Sequence, residues 1–202
     1  MRAPSAVLFD VGNVIVRWDP RNLYAKIFAD PAECERFLAE VCTIPWHVEH
    51  DLGATMADNT ARLIARFPEY AGPIRAWDER WEEMFSGPIP ETVEAIEALA
   101  ARGVALYGLT NMPAEKADGC FAMSPAFRHF RDIVVSGREG VIKPDPRAFE
   151  IACARAGLAP DELLLVDDSP ANIEVAHRLG FDVHLFDDPA ALRPALESRG
   201  LL

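Results

Sequence analysis

The sequence predicts an α/β fold, a doubly wound Rossmann-like parallel sheet of about five strands with an inserted α-helical cap. Short apolar runs ending in polar residues alternate with segments of helical periodicity. The apolar runs are continuous rather than alternating, which suits strands covered by helices on both faces. One connection, from Asp10 to Gly103, is far longer than the dozen or so residues that a parallel crossover needs.

The first strand is Ala6-Val7-Leu8-Phe9, ending in Asp10. From about Trp18 to Gly87 no stretch reads as a strand. Helical material is expected at Leu23–Ala29, Ala32–Val41, Met56–Phe67 and Pro73–Phe85. This inserted segment is expected to be entered through Trp18–Pro20 and left through Gly87–Pro90. The next helix, Glu91–Arg102, carries Val93, Ile96 and Leu99 on one face and stops at Gly103. Val104–Leu109 is the second strand, ending in Thr110-Asn111; Ile133–Val135 is the third, ending at Ser136. Asp145 followed by Pro146 reads as an N-cap and first helical position. A stripe of Phe149, Ala152, Cys153 and Ala156 follows, and Gly157 ends it. Leu163–Val166 is the fourth strand and runs into Asp167-Asp168. Ser169-Pro170 opens a helix bearing Ile173, Ala176 and Leu179, closed by Gly180. Val183–Phe186 is the fifth strand. The expected division is a Rossmann-like core, residues 1–17 and 88–202, and a helical cap, residues 18–87.

Composition narrows the function classes. The chain has 202 residues, a formal net charge of −12 and 50% hydrophobic residues, enough for one domain with an insertion. The acidic balance argues against nucleic acid as a partner, because that role needs a basic face. No apolar run is long enough for a membrane span, and no secretory h-region precedes the first strand, so the expectation is a cytoplasmic protein. Cys34, Cys42, Cys120 and Cys153 show no C-x-x-C pair and no zinc spacing, and read as reduced packing residues.

In open parallel sheets ligands bind outside the carboxyl ends of the strands. The residues collected there are Asp10, Thr110 with Asn111, and Asp167 with Asp168; Lys143 lies in a loop after the third strand. Carboxylates, a hydroxyl and an ammonium would converge on one place. Neither a P-loop nor a dinucleotide fingerprint is present.

Phe9-Asp10-Val11-Gly12-Asn13-Val14, Leu109-Thr110-Asn111, Lys143-Pro144 and Val166-Asp167-Asp168-Ser169 resemble, in order, the four motifs of the haloacid dehalogenase-like hydrolase superfamily. The helical insertion after the first motif is similar too. The likeness covers essentially the whole chain and is greatest to the small-cap branch that includes sugar-1-phosphate phosphatases. It implies Asp10 as nucleophile, already ionised at neutral pH and in need only of held geometry. It implies Mg²⁺ held by Asp10, Asp168 and the Gly12 carbonyl, with Asp167 in support or reaching the ion through water. Thr110, the Asn111 amide and Lys143 would grip the phosphoryl group. Asn172 stands where many relatives carry a further Asp, and would orient Asp168 or a metal-bound water.

Gly12 departs from the pattern: most phosphatases of this superfamily have there an Asp that protonates the leaving oxygen. The cap segment Trp46-His47-Val48-Glu49-His50-Asp51 offers His47 and His50 as replacements or as substrate contacts. Trp77, Trp81, Met84 and Phe85 have helical spacing and read as cap core or interface. The resemblance thus implies a Mg²⁺-dependent phosphatase acting on a small phosphorylated metabolite, sugar phosphates among them, through an aspartyl phosphate, as a monomer or homodimer. The alternatives are an L-2-haloacid dehalogenase using Asp10 without metal, and a catalytically weak binding or regulatory relative.

Overall fold

The computed structural model describes residues 4–202; residues 1–3 of the expected core lie outside the described residues. Five parallel strands form the sheet: β1 (Ala6–Phe9), β4 (Ala105–Thr110), β5 (Phe130–Val135), β6 (Leu163–Asp167) and β7 (Asp182–Leu185). Their spatial order is β5-β4-β1-β6-β7. The central strand β1 is buried along its whole length and pairs on one side with β4 and on the other with β6.

The two faces of β1 serve two cores. Val7 and Phe9 pack with Ile96 and Leu99 of α6 (Pro90–Ala101) and Leu192 and Leu196 of α11 (Pro189–Glu197). Ala6 and Leu8 pack with Phe149 and Ala152 of α9 (Pro146–Ala156) and Ala176 of α10 (Pro170–Leu179). This period-two division explains why the strand reads as an unbroken apolar run. Each large side chain buried there contributes roughly 1.5–3 kcal/mol.

The helix signals act as their chemistry requires. The Asp145 carboxylate accepts from Arg147 N–H at 2.8 Å, and α9 and α10 end in left-handed Gly157 and Gly180, with φ of 67° and 97°. Ser169 precedes α10 but its side chain makes no capping bond. The helix α11 after the last strand was not among the expected elements.

The insertion departs from expectation in three places. First, it does contain a strand: β2 (Val16–Trp18) pairs antiparallel with β3 (Phe85–Pro88), joining Trp18 to Phe85 and Val16 to Pro88. A ladder this short, between distant segments and rich in Gly and Pro, leaves no local periodicity to read. Second, the helix bounds differ: the first helix shrinks to four residues, the second keeps its ten, and a further helix forms over Ile44–Asp51. The helices are α1 (Arg21–Tyr24), α2 (Pro31–Glu40), α3 (Ile44–Asp51), α4 (Met56–Arg66) and α5 (Ala71–Glu79). Third, α5 stops at Arg80 and a 3₁₀ turn, Trp81–Met84, replaces the expected helical run to Phe85. These helices build a third core on Tyr24, Phe37, Leu63, Ile74, Trp77 and Met84, all buried. Thr43 and Thr55 start α3 and α4 by accepting from Trp46 and Asp58 N–H. Two short helices, α7 (Ala117–Phe121) and α8 (Ser136–Glu139), follow β4 and β5.

Candidate active site

Asp10 leaves the end of β1 and its backbone N–H donates to Val166 O at 2.9 Å, so it sits beside the end of β6, where Asp167 and Asp168 emerge. Its side chain is buried. Asp10 Oδ1 accepts from Val11 N–H at 2.6 Å and from the Lys143 ammonium at 3.0 Å. Lys143 Nζ lies 2.7 Å from Asp167 Oδ2 and is itself buried, so one ammonium bridges two carboxylates. Asp167 is fully committed: Asn172 Nδ2 donates to both its oxygens, at 2.9 and 3.1 Å, and Ser169 N–H donates to Oδ1 at 2.9 Å. Asp168 is exposed at the rim.

Lys143 is held through its backbone. Asn111 Oδ1 accepts from Lys143 N–H at 2.8 Å and Asn111 Nδ2 donates to Lys143 O at 2.9 Å. The loop after β4 is fixed in turn by Ser136 Oγ, which accepts from Met112 N–H at 3.0 Å. Gly137 packs against the same loop so closely that a Cβ would stand 2.5 Å from Ala114 N.

Charge sets the character of the site. Oxygens of Asp10, Asp167 and Asp168 lie within 4.8 Å of one another. Burial pushes Asp10 up to about 7, Lys143 opposes that shift, and the Asp167 and Asp168 carboxylates add to it. Asp168 is raised as well, by the partial desolvation of its carboxyl group at the cleft rim and then by Asp167. Lys143 stays protonated: burial disfavours its charge, but Asp10 and Asp167 together outweigh that. Three carboxylates against one ammonium leave two negative charges in excess when all are ionised. A donor set of oxygens alone, short of two positive charges, fits a hard divalent cation such as Mg²⁺. Asp10 and Asp168 could hold it, while Asp167, with its oxygens already occupied, fits the supporting position.

The sequence-derived residues converge only in part. A cleft of about 300 Å³ is walled by Asp10, Gly12, Thr110, Asn111, Lys143 and Asp168. The Asn111 side chain is spent on the Lys143 backbone, so it positions the lysine rather than offering its side-chain amide to an anion. Asn172 serves Asp167, not Asp168 as expected. His50 is fully buried and turned inward: Nε2 meets Asn59 Nδ2 at 3.2 Å and Nδ1 meets His47 O at 3.2 Å. His47 reaches a second pocket, stacked on Trp18 at 5.4 Å between centroids. Burial lowers its proton affinity to about 3, and that of His50 to about 4. Burial thus disfavours the imidazolium form at both positions and argues against either as the general acid, while His47 stands on a pocket wall, as the alternative expectation of a substrate contact requires. Asp51 is a residue that sequence reasoning passed over. It is buried 3.5 Å from His47 Nε2, and burial raises it to about 7. Its i,i+4 spacing from His47 was the available signal.

The second pocket, about 240 Å³, lies between α3 and the loop after β4 and shares Gly12, Thr110 and Asn111 with the first. Trp81 and Phe85 line it, while Trp77 and Met84 are core. No helix among the described residues is long and apolar enough to cross a membrane.

The chain is similar in sequence and in fold to known proteins. The chain is 35% identical to a phosphoserine phosphatase of Thermus thermophilus, over 82% of the chain and 74% of that protein. It is 27% identical to the sesquiterpene phosphatase astK of Aspergillus oryzae, over 98% of the chain and 96% of that protein. It is 29% identical to acyl-CoA dehydrogenase family member 10 of Mus musculus, of whose length it spans only 19%. A HAD-family enzyme of Bacteroides thetaiotaomicron, solved with magnesium and inorganic phosphate, superposes with a TM-score of 0.71. That match covers 94% of this chain and 98% of the other, at 19% identity. The haloacid dehalogenase-like hydrolase family matches residues 4–180, and with the four strand-end motifs gathered on one cleft the chain belongs to that family of hydrolases.

Proposed function

We propose that the chain is a Mg²⁺-dependent phosphatase of small phosphorylated metabolites, working through an aspartyl phosphate on Asp10. The observation that carries this reading is the Lys143 ammonium held between Asp10 and Asp167, with Asp168 alongside, on a cleft walled by Thr110. An Asp10 oxygen attacks phosphorus and the bond to the ester oxygen breaks. The leaving oxygen departs with the electron pair and takes up a proton. Water then attacks the same phosphorus, releasing phosphate and restoring the Asp10 carboxylate. Mg²⁺, held by Asp10, Asp168 and the Gly12 carbonyl, would offset the repulsion between carboxylate and phosphate. Lys143 and Thr110 draw charge from the phosphoryl oxygens, and Asn111, Asp167 and Asn172 keep Lys143 in place. Residues 18–87 act as a cap over residues 1–17 and 88–202, placing α3 opposite the strand ends and excluding water. The phosphatase names of two relatives support the same reading.

Phosphate release with and without chelator tests it. Asp10→Asn should lower turnover by roughly 10³-fold or more, as expected when a covalent nucleophile is removed. Halide release from a 2-haloacid with full activity in excess chelator would establish dehalogenase chemistry instead. Retained phosphate release by Asp10→Asn would sink the covalent mechanism.

A further inference from the structure

We infer that the substrate's organic group is a compact hydrocarbon or aromatic unit, seated in the pocket between α3 and the loop after β4. This deepens the phosphatase reading and rests on it. The pocket is walled by the carbon faces of Trp18, Ile44, Val48, Trp81, Phe85 and Met112. It opens directly onto the phosphoryl cleft, since Gly12, Thr110 and Asn111 belong to both. A phosphate held by Thr110 and Lys143 therefore points its ester group at an apolar wall. With no side chain at Gly12, and open space around a Cβ placed there, nothing separates the two compartments at that point.

The polar atoms around this pocket do not serve a polyol. Although their residues line the pocket, Trp18 Nε1, Trp81 Nε1 and His47 Nδ1 are buried without a hydrogen-bond partner and buried Asp51 Oδ1 faces His47 Nε2 at 3.5 Å, so none of these four polar atoms is exposed at the pocket wall. No lysine or arginine lines the pocket, which leaves the carboxylate of an amino-acid ester without a counter-charge. A sugar or a zwitterion would surrender its hydration there for few hydrogen bonds. A second, larger cleft of about 600 Å³ adjoins Asp168 and is polar. Its Asn13 Oδ1, Asp19 Oδ1 and Asn22 Nδ2 already bond Trp18 N–H, Arg21 N–H and Met84 O, each at 2.9 Å, and Arg17 lines it as well. It also lacks Gly12 as a wall. At about 240 Å³ the apolar pocket is smaller than the roughly 300–1,000 Å³ usual for small-molecule sites, which limits the occupant to a compact group.

The test is phosphate release, with Mg²⁺, from ethyl, butyl and octyl phosphate, 1-naphthyl phosphate, glucose 6-phosphate, phosphoserine and acetyl phosphate. The expected result is a rise in kcat/KM along the alkyl series of at least about tenfold overall, with octyl and naphthyl esters ahead of glucose 6-phosphate and phosphoserine. Ile44→Asp and Val48→Asp, at half-exposed or exposed wall positions that do not threaten the core, should lower the octyl-to-acetyl ratio about tenfold. Octylphosphonate, which cannot be hydrolysed, should change the fluorescence of Trp18 and Trp81 in the full chain, and Val48→Asp should weaken that change. A flat alkyl series with glucose 6-phosphate or phosphoserine preferred, and no fluorescence response, would overturn the inference while leaving the phosphatase reading intact. Octylphosphonate binding with no phosphate released from any ester, acetyl phosphate included, would support the apolar site and overturn the phosphatase reading.

Discussion

At Gly12 the local chemistry turns on an absent side chain. A Cβ there would meet nothing within 4 Å and the backbone is not in the left-handed region, so an L-residue fits without strain. Gly12→Asp should therefore fold and place a carboxyl group on the wall shared by both pockets. Because a positioned general acid contributes typically about 10²–10⁴-fold, the variant should hydrolyse alkyl phosphates faster, with little gain for activated aryl phosphates; steady-state rates across leaving groups check this. His47 is the opposite case. Its imidazole is present but kept neutral by burial, so His47→Gln should lower rates evenly across that same leaving-group series, the mark of lost packing rather than of lost proton transfer. Asn111 holds Lys143 through two hydrogen bonds. Asn111→Ala should cost about 1–3 kcal/mol of stability, because it strands buried backbone groups, and thermal unfolding would read that loss.

At the scale of elements, α3 carries a pH-dependent balance. Burial takes His50 from 6.5 to about 4 and His47 from 6.5 to about 3. The folded chain then binds fewer protons than the unfolded one in that range, so their stabilising share is present above about 6.5 and is lost as pH falls. Asp51 works the other way: burial raises it from 3.8 to about 7, so its share is present below 3.8 and lost as pH rises through about 7. His50→Gln removes one of the two acid-sensitive groups. The stability of the wild type relative to this variant should therefore shrink between about pH 7 and about pH 5, a comparison that melting curves at the two pH values would make. Another element-scale constraint is the seat of α8 against the loop after β4. Gly137→Ala would drive a Cβ to 2.5 Å from Ala114 N and 2.9 Å from Met112 O. The strain should cost about 1–3 kcal/mol and displace the loop that carries Asn111 toward Lys143, lowering both melting temperature and turnover.

For the whole molecule, the proposed Mg²⁺ site at the acidic strand ends would couple ion binding to folding. A cation that binds only the folded chain stabilises it by about 2.7 kcal/mol at a hundredfold excess over Kd. Mg²⁺ should thus raise the melting temperature, and Asp168→Ala should abolish the increase while leaving the rim residue's surroundings packed; calorimetry in Mg²⁺ and in chelator provides the comparison. The large buried cores on both faces of β1 and under the cap make the scaffold rigid enough to hold Asp10, Lys143 and Asp167 in register.

Continuous apolar strands, the Asp145-Pro146 start and the Gly157 and Gly180 stops are local chemistry, so the five strands of the sheet and the helices α6, α9 and α10 were legible in the sequence alone, whereas α11 was not. The positions of Asp10 and Asp167-Asp168 at strand ends were legible for the same reason, because strand ends in such a sheet open on one edge, and Lys143 was placed in the loop before α9 by its motif. The antiparallel pairing of Val16–Trp18 with Phe85–Pro88 was not, since it joins segments whose own periodicity is too short to read. Nor were the service of Asn172 to Asp167, the inward turn of His50 and the raised proton affinity of Asp51. Each depends on which distant side chains exclude water from a group or meet it within bonding distance, and only the tertiary packing decides that.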